Sequence, residues 1–230
     1  MVRISPEERF CSVALAATKV FGRKGYRGTR MADVAAEAGM SSGLIFSYVE
    51  SKEALLYSVF AFGFGLFADG LPSLPLVTPA PGETVELIGE HLRKVPVPRL
   101  RAALKEDAPS DVRAELQGVV EERYGMVAGM WPLLAVIERC AVDLPELEAF
   151  YFGGVRVRYF AQLSRYLTAR ADGGYFRPMR DTDVTARVIT ESIAWFAWKR
   201  HEGRDAELYD ENTVRETLVE FICGSLLEHA

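Results

Sequence analysis

The chain has 230 residues, of which 49% are hydrophobic and 26% charged. That balance excludes a disordered chain and gives room for one large domain or two small ones around a sizeable core. The net charge is −5; spread evenly it would repel a nucleic acid, so its distribution along the chain decides more than its total.

The three cysteines, Cys11, Cys140 and Cys223, are odd in number and far apart, with no CxxC pair. A disulfide framework is not expected, and a reducing compartment fits better. The opening MVRISPEE turns polar where a signal peptide would run apolar. The longest uncharged, mainly apolar stretch, residues 125–137, falls short of the ~20 residues a bilayer-spanning helix needs. The chain is expected to be cytoplasmic, with no membrane partner.

Ser5-Pro6-Glu7-Glu8 opens the first predicted helix. Ser5 can cap it, Pro6 suits its first position and Glu8 completes a capping box. Phe10, Val13, Ala14, Ala17 and Phe21 share one helical face, and Gly22 and Gly25 end the run. A short second helix is predicted over about 31–38, stopping at Gly39, and a third over about 42–49. Ser51 caps a long fourth helix, with Glu53 in its first turn. Residues 69–82 (DGLPSLPLVTPAPG) hold four of the eleven prolines and read as a break. Further helices are predicted at about 83–95, 99–107, 110–129, 131–141, 145–171, 182–201 and 211–228. Asp143 with Glu146, and Asp210, resemble helix starts, and Gly173-Gly174 separates two late helices. No period-2 pattern of useful length appears, so the fold class is all-α.

The informative stretch is MADVAAEAGMSSGLIFSYVE, residues 31–50. Two short helices around a tight turn fit a helix-turn-helix. Ala35 is small where the helices cross, and Gly39 supplies a backbone conformation that a Cβ disfavours. Val34, Ala38, Met40 and Ile45 would form the buried seam, and Ser41 or Ser42 would cap the second helix, leaving amides to meet a phosphate. Ser42, Gly43, Leu44, Phe46, Ser47 and Tyr48 remain outward: small or aromatic groups without acidic charge, which a major groove accepts. A helical hairpin inside a larger bundle would show the same small residues at its crossing.

In its wider setting the segment resembles the DNA-binding domain of TetR-family transcriptional regulators. The resemblance rests on VFGRKGYRGT ending the first helix, the Asp33-Val34-Ala35 step, Ala38-Gly39 at the turn, Ser41 and Gly43 in helix three, and Ser51-Lys52-Glu53-Ala54-Leu55 opening helix four. It covers about residues 6–60. It implies a three-helix DNA-binding domain over 1–53 and a larger helical effector-binding and dimerisation domain over 54–230. It further implies phosphate contacts from Ser41, Tyr48 and the amide or ammonium of Lys52. Ser42, Gly43, Leu44 and Ser47 would lie toward base edges, and Arg30 near the backbone of the adjacent strand. Two departures stand out. Family members usually carry Tyr where this chain has Phe46, and Ser or Thr where it has Arg30. The Arg30 guanidinium can still bind phosphate as a charge-assisted donor. Leu44 is expected to read a thymine methyl, with water or DNA shape supplying much of the specificity.

Other motifs carry less. Gly39-Met40-Ser41-Ser42-Gly43 formally matches GxSxG, but a helix precedes the serine where a nucleophile elbow needs a strand. His91, His201 and His229 are dispersed, and no HExxH or Cys/His cluster exists. No metal site, cofactor or catalytic residue is therefore assigned. Gly125-x-x-x-Gly129 is weak evidence for a close helix approach, and Arg156-Val157-Arg158 reads as a solvated stripe.

In the C-terminal three quarters, Val214, Leu218, Phe221, Ile222 and Ser225 recur along the last helix, and Ile193, Trp195, Phe196 and Trp198 cluster in the preceding one. These residues either fill the monomer core or pack two helices against their copies in a homodimer. An apolar effector pocket would draw on Phe62, Leu66, Trp131, Tyr151, Tyr159 and Trp195. The expected partners are an operator in double-stranded DNA, a small-molecule effector and a second copy of the chain. The expected function is a ligand-responsive regulator, a repressor rather than an enzyme. The alternatives are a helical small-molecule-binding protein or enzyme without DNA function, and a helix-turn-helix adaptor that recruits protein only. The charge agrees with the first reading. Residues 1–52 hold eight basic and five acidic residues, net +3, and the remainder holds 19 basic and 27 acidic, net −8.

Overall fold

The computed structural model describes residues 5–95, 97–203 and 208–227. Among them there is no β-strand; one isolated bridge pairs Val49 with Leu76. Ten α-helices occur among the described residues, in two compact units: Met1–Val95 with Pro132–Gly154, and Pro96–Trp131 with Val155–Ala230.

The first unit holds α1 (Pro6–Gly28), α2 (Met31–Glu37), a 3-10 turn (Leu44–Ser47), α3 (Lys52–Gly63) and α4 (Glu83–Lys94). To these it adds the end of α6 (Val112–Ala141) and α7 (Pro145–Phe150). The capping box of α1 forms as the sequence dictates. The Glu8 amide donates to Ser5 Oγ at 3.1 Å, and the Ser5 amide donates to Glu8 Oε2 at 2.8 Å. Phe10, Val13, Ala14, Ala17 and Phe21 are fully buried, so the periodic face is the core face. The helix does not stop at Gly22. It kinks at Gly25 (φ 72°) and continues to Gly28. At Gly25 a Cβ would stand 3.1 Å from the Arg139 carbonyl oxygen and 3.3 Å from Asp143 Oδ2, so close approach and backbone both require glycine.

The expected helix over 42–49 contracts to the 3-10 turn Leu44–Ser47. The proline-rich segment explains this. The Leu76 amide donates to the Tyr48 carbonyl at 2.8 Å, and the Glu50 amide donates to the Leu76 carbonyl at 3.0 Å. Residues 48–50 are drawn into extended pairing rather than another helical turn. The segment read as a mere break is therefore a brace for the turn.

The second unit holds α5 (Pro98–Ala103), the start of α6, α8 (Val157–Asp172), α9 (Thr182–Ala197), a 3-10 turn (Lys199–Glu202) and α10 (Glu211–Leu226). Helix α6 is continuous across the predicted gap near residue 130, with Pro132 inside it. The predicted helix over 145–171 is divided instead, by a π-turn at Tyr151–Arg156. Asp210 caps α10 as expected, accepting from the Thr213 amide at 2.9 Å. Asp181, not singled out in the sequence, caps α9 in the same way through Val184. Asp143 caps nothing; it accepts the Arg27 amide at 2.7 Å. A buried ionic cluster locks α8 in place: Arg170 forks onto both oxygens of Glu115 at 2.8 Å and donates to the Ala103 carbonyl at 2.7 Å. Bidentate geometry and a carbonyl acceptor satisfy a guanidinium that is 2% exposed.

Candidate nucleic-acid interface

Helix α2 begins without a side-chain acceptor at its N-terminus, because the residue there is Arg30. The order of the box is reversed: the Arg30 amide donates to Asp33 Oδ2 at 3.1 Å. Thr29 does not substitute as a cap, since its hydroxyl donates to the Gly25 carbonyl at 2.7 Å. Arg30 is exposed and forms no salt bridge among the described residues. Val34, Ala35 and Ile45 are fully buried, whereas Ala38 and Met40 are half-buried, so the seam is narrower than the spacing suggested. Gly39 turns the chain with φ 68°, and a Cβ there would meet nothing within 4 Å. Its glycine answers to backbone conformation alone.

Neither Ser41 nor Ser42 caps the following turn with its side chain; the Ser41 carbonyl accepts the Leu44 amide at 3.0 Å instead. Ser41, Ser42, Gly43, Phe46 and Ser47 are exposed, Phe46 at 50%, and Leu44 is half-buried. These residues form a contiguous polar-to-aromatic face free of acidic side chains. Tyr48 departs from the outward reading, for it is only 7% exposed. Its hydroxyl has no hydrogen-bond partner among the described residues and is not sealed from solvent.

The basic residues of α1 are largely committed within the unit. Arg23 meets Glu37 at 2.6 Å, Lys19 meets the same carboxylate at 3.7 Å, and Lys24 meets Asp33 at 3.0 Å. These partners hold the Asp33 and Glu37 carboxyls below their usual range, through the hydrogen bonds from Lys24 and Arg23 respectively. The +3 of this segment is therefore pinned to particular places rather than spread over one face.

Lys52 is half-buried. Its ammonium donates to the carbonyls of Tyr26 at 3.0 Å and Thr29 at 3.2 Å, and stands 4.4 Å from the centre of the Tyr26 ring. The Tyr26 hydroxyl donates to Glu53, and that hydrogen bond keeps the Glu53 carboxyl below its ordinary range. Burial, then the Glu53 partner, raises the Tyr26 phenol. The Ser51 hydroxyl caps α3 at the Ala54 amide, 3.0 Å, and accepts from Thr78 Oγ1 at 2.8 Å. The ends of α1 and the start of α3 are thus clasped together, and residues 76–78 brace them. Sequence reasoning missed the clasp and the brace. In the sequence Glu53 has only the look of a first-turn acid, and the one visible signal for Tyr26 is its place in GYRGT.

The proposed effector residues fall in different surroundings. In the first unit Phe62 is half-buried, Leu66 is exposed and Tyr151 is buried. In the second, Trp131 stacks on His201 at 5.7 Å and Tyr159 lies under the Arg123 guanidinium at 4.0 Å. Trp195 is 41% exposed and shares an α9 face with exposed Val184 and Val188. On α10, Val214, Leu218 and Ile222 are buried in the unit, while Phe221 is 69% exposed. Arg156 pairs with Glu191 at 2.5 Å, and Val157 and Arg158 face solvent. His229 lies outside the described residues. No group of three or more potential metal ligands occurs among the described residues, and no described helix is long and apolar enough to cross a membrane.

Residues 15–59 match the family described as bacterial regulatory proteins, tetR family. No curated protein sequence matches the chain. Among solved structures, the ketosteroid transcriptional regulator KstR2 of Mycobacterium tuberculosis aligns over 100% of both chains, with 17% identity and a TM-score of 0.61. AibR in complex with isovaleryl coenzyme A and operator DNA aligns over 94% of this chain and 98% of its own, with 18% identity and a TM-score of 0.51. A TetR-like transcriptional regulator from Rhodococcus sp. RHA1 aligns over 96% of each chain, with 16% identity and a TM-score of 0.50. At these identities the likeness is one of fold.

Proposed function

We propose, from the premise that the N-terminal segment of this chain belongs to the TetR family of bacterial regulatory proteins, that the protein is a homodimeric, ligand-responsive repressor of transcription. It binds a near-palindromic operator through the 40–48 region of each protomer. The observation that carries this reading is a coincidence. The family match over 15–59 spans a stretch in which a turn, exposed residues 41–43, 46 and 47 without acidic side chains, and an arginine with no salt bridge among the described residues lie together.

In this reading Arg30, Ser41, the Tyr48 hydroxyl and the backbone amide of Lys52 contact phosphates. The amide sits in the unsatisfied first turn of α3, where the helix favours an anion. The Lys52 ammonium, already committed to two carbonyls, positions that turn. Ser42, Gly43, Leu44 and Ser47 face base edges beside Phe46. Few of these groups donate hydrogen bonds, so specificity comes from apolar contact, water and DNA shape. The division of labour follows residues 1–53 for DNA and 54–230 for effector and dimer.

The exposed α9 stripe of Val184, Val188 and Trp195, with Phe221 of α10, supports a second copy as its cover. Effector and DNA favour different conformations, so each weakens the other by one coupling free energy. The test is selection of duplexes from a random pool, followed by a release screen. The screen includes isovaleryl coenzyme A and ketosteroids, after the relatives that carry those names. Enrichment of a near-palindrome supports the reading. Failure to retain any duplex at low salt favours a ligand-binding protein without DNA function.

A further inference from the structure

The first unit carries a groove of 740 Å³ whose lining includes none of the side chains assigned to DNA. Its walls come from the end of α1, the start of α3, residues 78–82, the start of α4 and residues 144–146. The volume is that of a small-molecule site. Leu56, Val85 and Leu144 join the prolines of the 78–82 segment to make a mainly apolar lining. None of the lining residues is Lys, Arg or His, and two are acids, Glu53 and Glu146. The Glu146 carboxylate reaches toward the 78–82 segment: Oε2 would lie 3.9 Å from a Cβ built on Gly82.

We propose that this groove binds a small monocation with an apolar body. The apolar walls take the body, and the two carboxylates receive the charge. An anion would meet two negative groups with no lining cation to offset them, and a neutral molecule would bring no charge to either carboxylate. Lys52 lies beside the groove, but its ammonium is turned to the Tyr26 and Thr29 carbonyls. Tyr26 is the internal competitor, since its hydroxyl already donates to Glu53. A cation that takes Glu53 displaces that donor. This ligand chemistry does not depend on whether the chain binds DNA.

The test is calorimetric titration of the full chain with octyltrimethylammonium, and with octanoate and octanol as probes of equal chain length. The cation is expected to bind at one site per chain, roughly tenfold or more tighter than octanoate. Glu146→Gln, on an exposed side chain, should weaken the cation about fivefold and leave octanol unchanged. Tyr26→Phe should tighten the cation several-fold by releasing Glu53, with thermal melts verifying that the variant is folded. Octanoate binding as tightly as the cation would overturn the proposal. So would a cation affinity unmoved by both substitutions, which would locate the binding elsewhere.

Discussion

Lys52 Nζ stands 4.4 Å from the centre of the Tyr26 ring and donates to the Tyr26 carbonyl at 3.0 Å. One residue thus meets the last turn of α1 in two ways, as a second donor to a carbonyl that also accepts the Thr29 amide and as a cation over an aromatic face. The adjacent Glu53 closes the clasp from the other end of the tyrosine. Lys52→Met keeps the apolar stem and removes the charge. It should lower the stability of the chain by about 1–2 kcal/mol, the scale for a partly exposed charged hydrogen bond. Duplex affinity should fall through lost geometry, while the slope of log affinity against log salt stays as in the parent. A slope reduced by about one would return the ammonium to the phosphate backbone.

Tyr48 separates packing from contact. At 7% exposure its ring is part of the core beneath the 3-10 turn, and its carbonyl accepts the Leu76 amide. Tyr48→Ala should therefore cost about 3 kcal/mol in a denaturant melt, as for other buried aromatics. Tyr48→Phe retains the packing and removes only a hydroxyl without an internal partner. It should leave the melt within about 0.5 kcal/mol of the parent and weaken duplex binding across sequences. Equal affinity of Tyr48→Phe and the parent in a gel-shift titration would remove Tyr48 from the contact set.

The contrast between these residues shows what was legible in the sequence. Local rules spoke clearly: Ser5 with Glu8, Ser51 and Asp210 all cap as their spacing dictates, and the 3.6-residue period of α1 picks out its core face. What was not legible depends on distant partners. Residues 42–49 carry a helix-like pattern, yet Leu76, more than 25 positions away, pairs with the backbone on both sides of Val49 and ends the turn early. Asp143 has the composition of a cap, yet it is drawn to the Arg27 amide across 116 positions. The outward reading of Tyr48 failed for the same reason, since a 3-10 turn rotates side chains differently from the α-helix assumed. Among the proposed site residues, Arg30, Ser41, Ser42, Gly43, Phe46 and Ser47 do lie exposed. For the small residues at 41–43 and 47 that exposure follows from their place in the turn.

Arg30 is the test of the electrostatic half of the interface. The cations of α1 at positions 19, 23 and 24 face Glu37 and Asp33, while Arg30 has no salt bridge among the described residues. Arg30→Ala should leave the thermal midpoint nearly unchanged, because the amide that bonds Asp33 belongs to the backbone. Duplex affinity should drop for all sequences, and the salt slope should fall by about one for the single lost phosphate. Lys19→Ala should leave that slope unchanged. The reverse pattern would move the docking face onto α1.

His91 gives the first unit a pH dependence of definite sign. Its ring stacks on Phe64 with centroids 3.8 Å apart and planes 4° apart. Burial, then the nearby Lys94, pushes its pKa below the ordinary 6.5. The folded state therefore binds the proton less readily than the unfolded chain, and stability falls as pH drops through about 6.5, with the loss complete below the folded value. His91→Phe keeps a ring against Phe64 and removes the titration. It should shrink the drop in melting temperature between about pH 7.5 and 5.5. His201, lowered by burial and by Arg200, leaves a remainder of the same sign, which His201→Gln in the same background should remove. An unchanged drop in His91→Phe would dissociate the stack from acid sensitivity.

The α9–α10 surface makes the final prediction. Val214, Leu218 and Ile222 satisfy the core of their own unit, so the apolar load of α10 is mostly spent within the monomer. Phe221 is the exception at 69% exposure, and α9 adds Val184, Val188 and Trp195 along a single stripe. An aromatic ring held in water forfeits the stabilisation that burial would give, and several such groups on adjacent helices point to a covering surface. In a two-fold dimer each stripe meets its own copy, so one substitution acts twice. Phe221→Glu removes an apolar anchor and adds a negative charge to the proposed interface on each copy. It should convert the proposed dimer to monomer in light scattering at micromolar concentration, with helical content nearly unchanged because the side chain is mostly exposed in its own unit. Duplex binding should weaken far more than a single lost contact explains, since two half-sites would no longer be read together. A Phe221→Glu variant that remains a dimer would place the interface on another face.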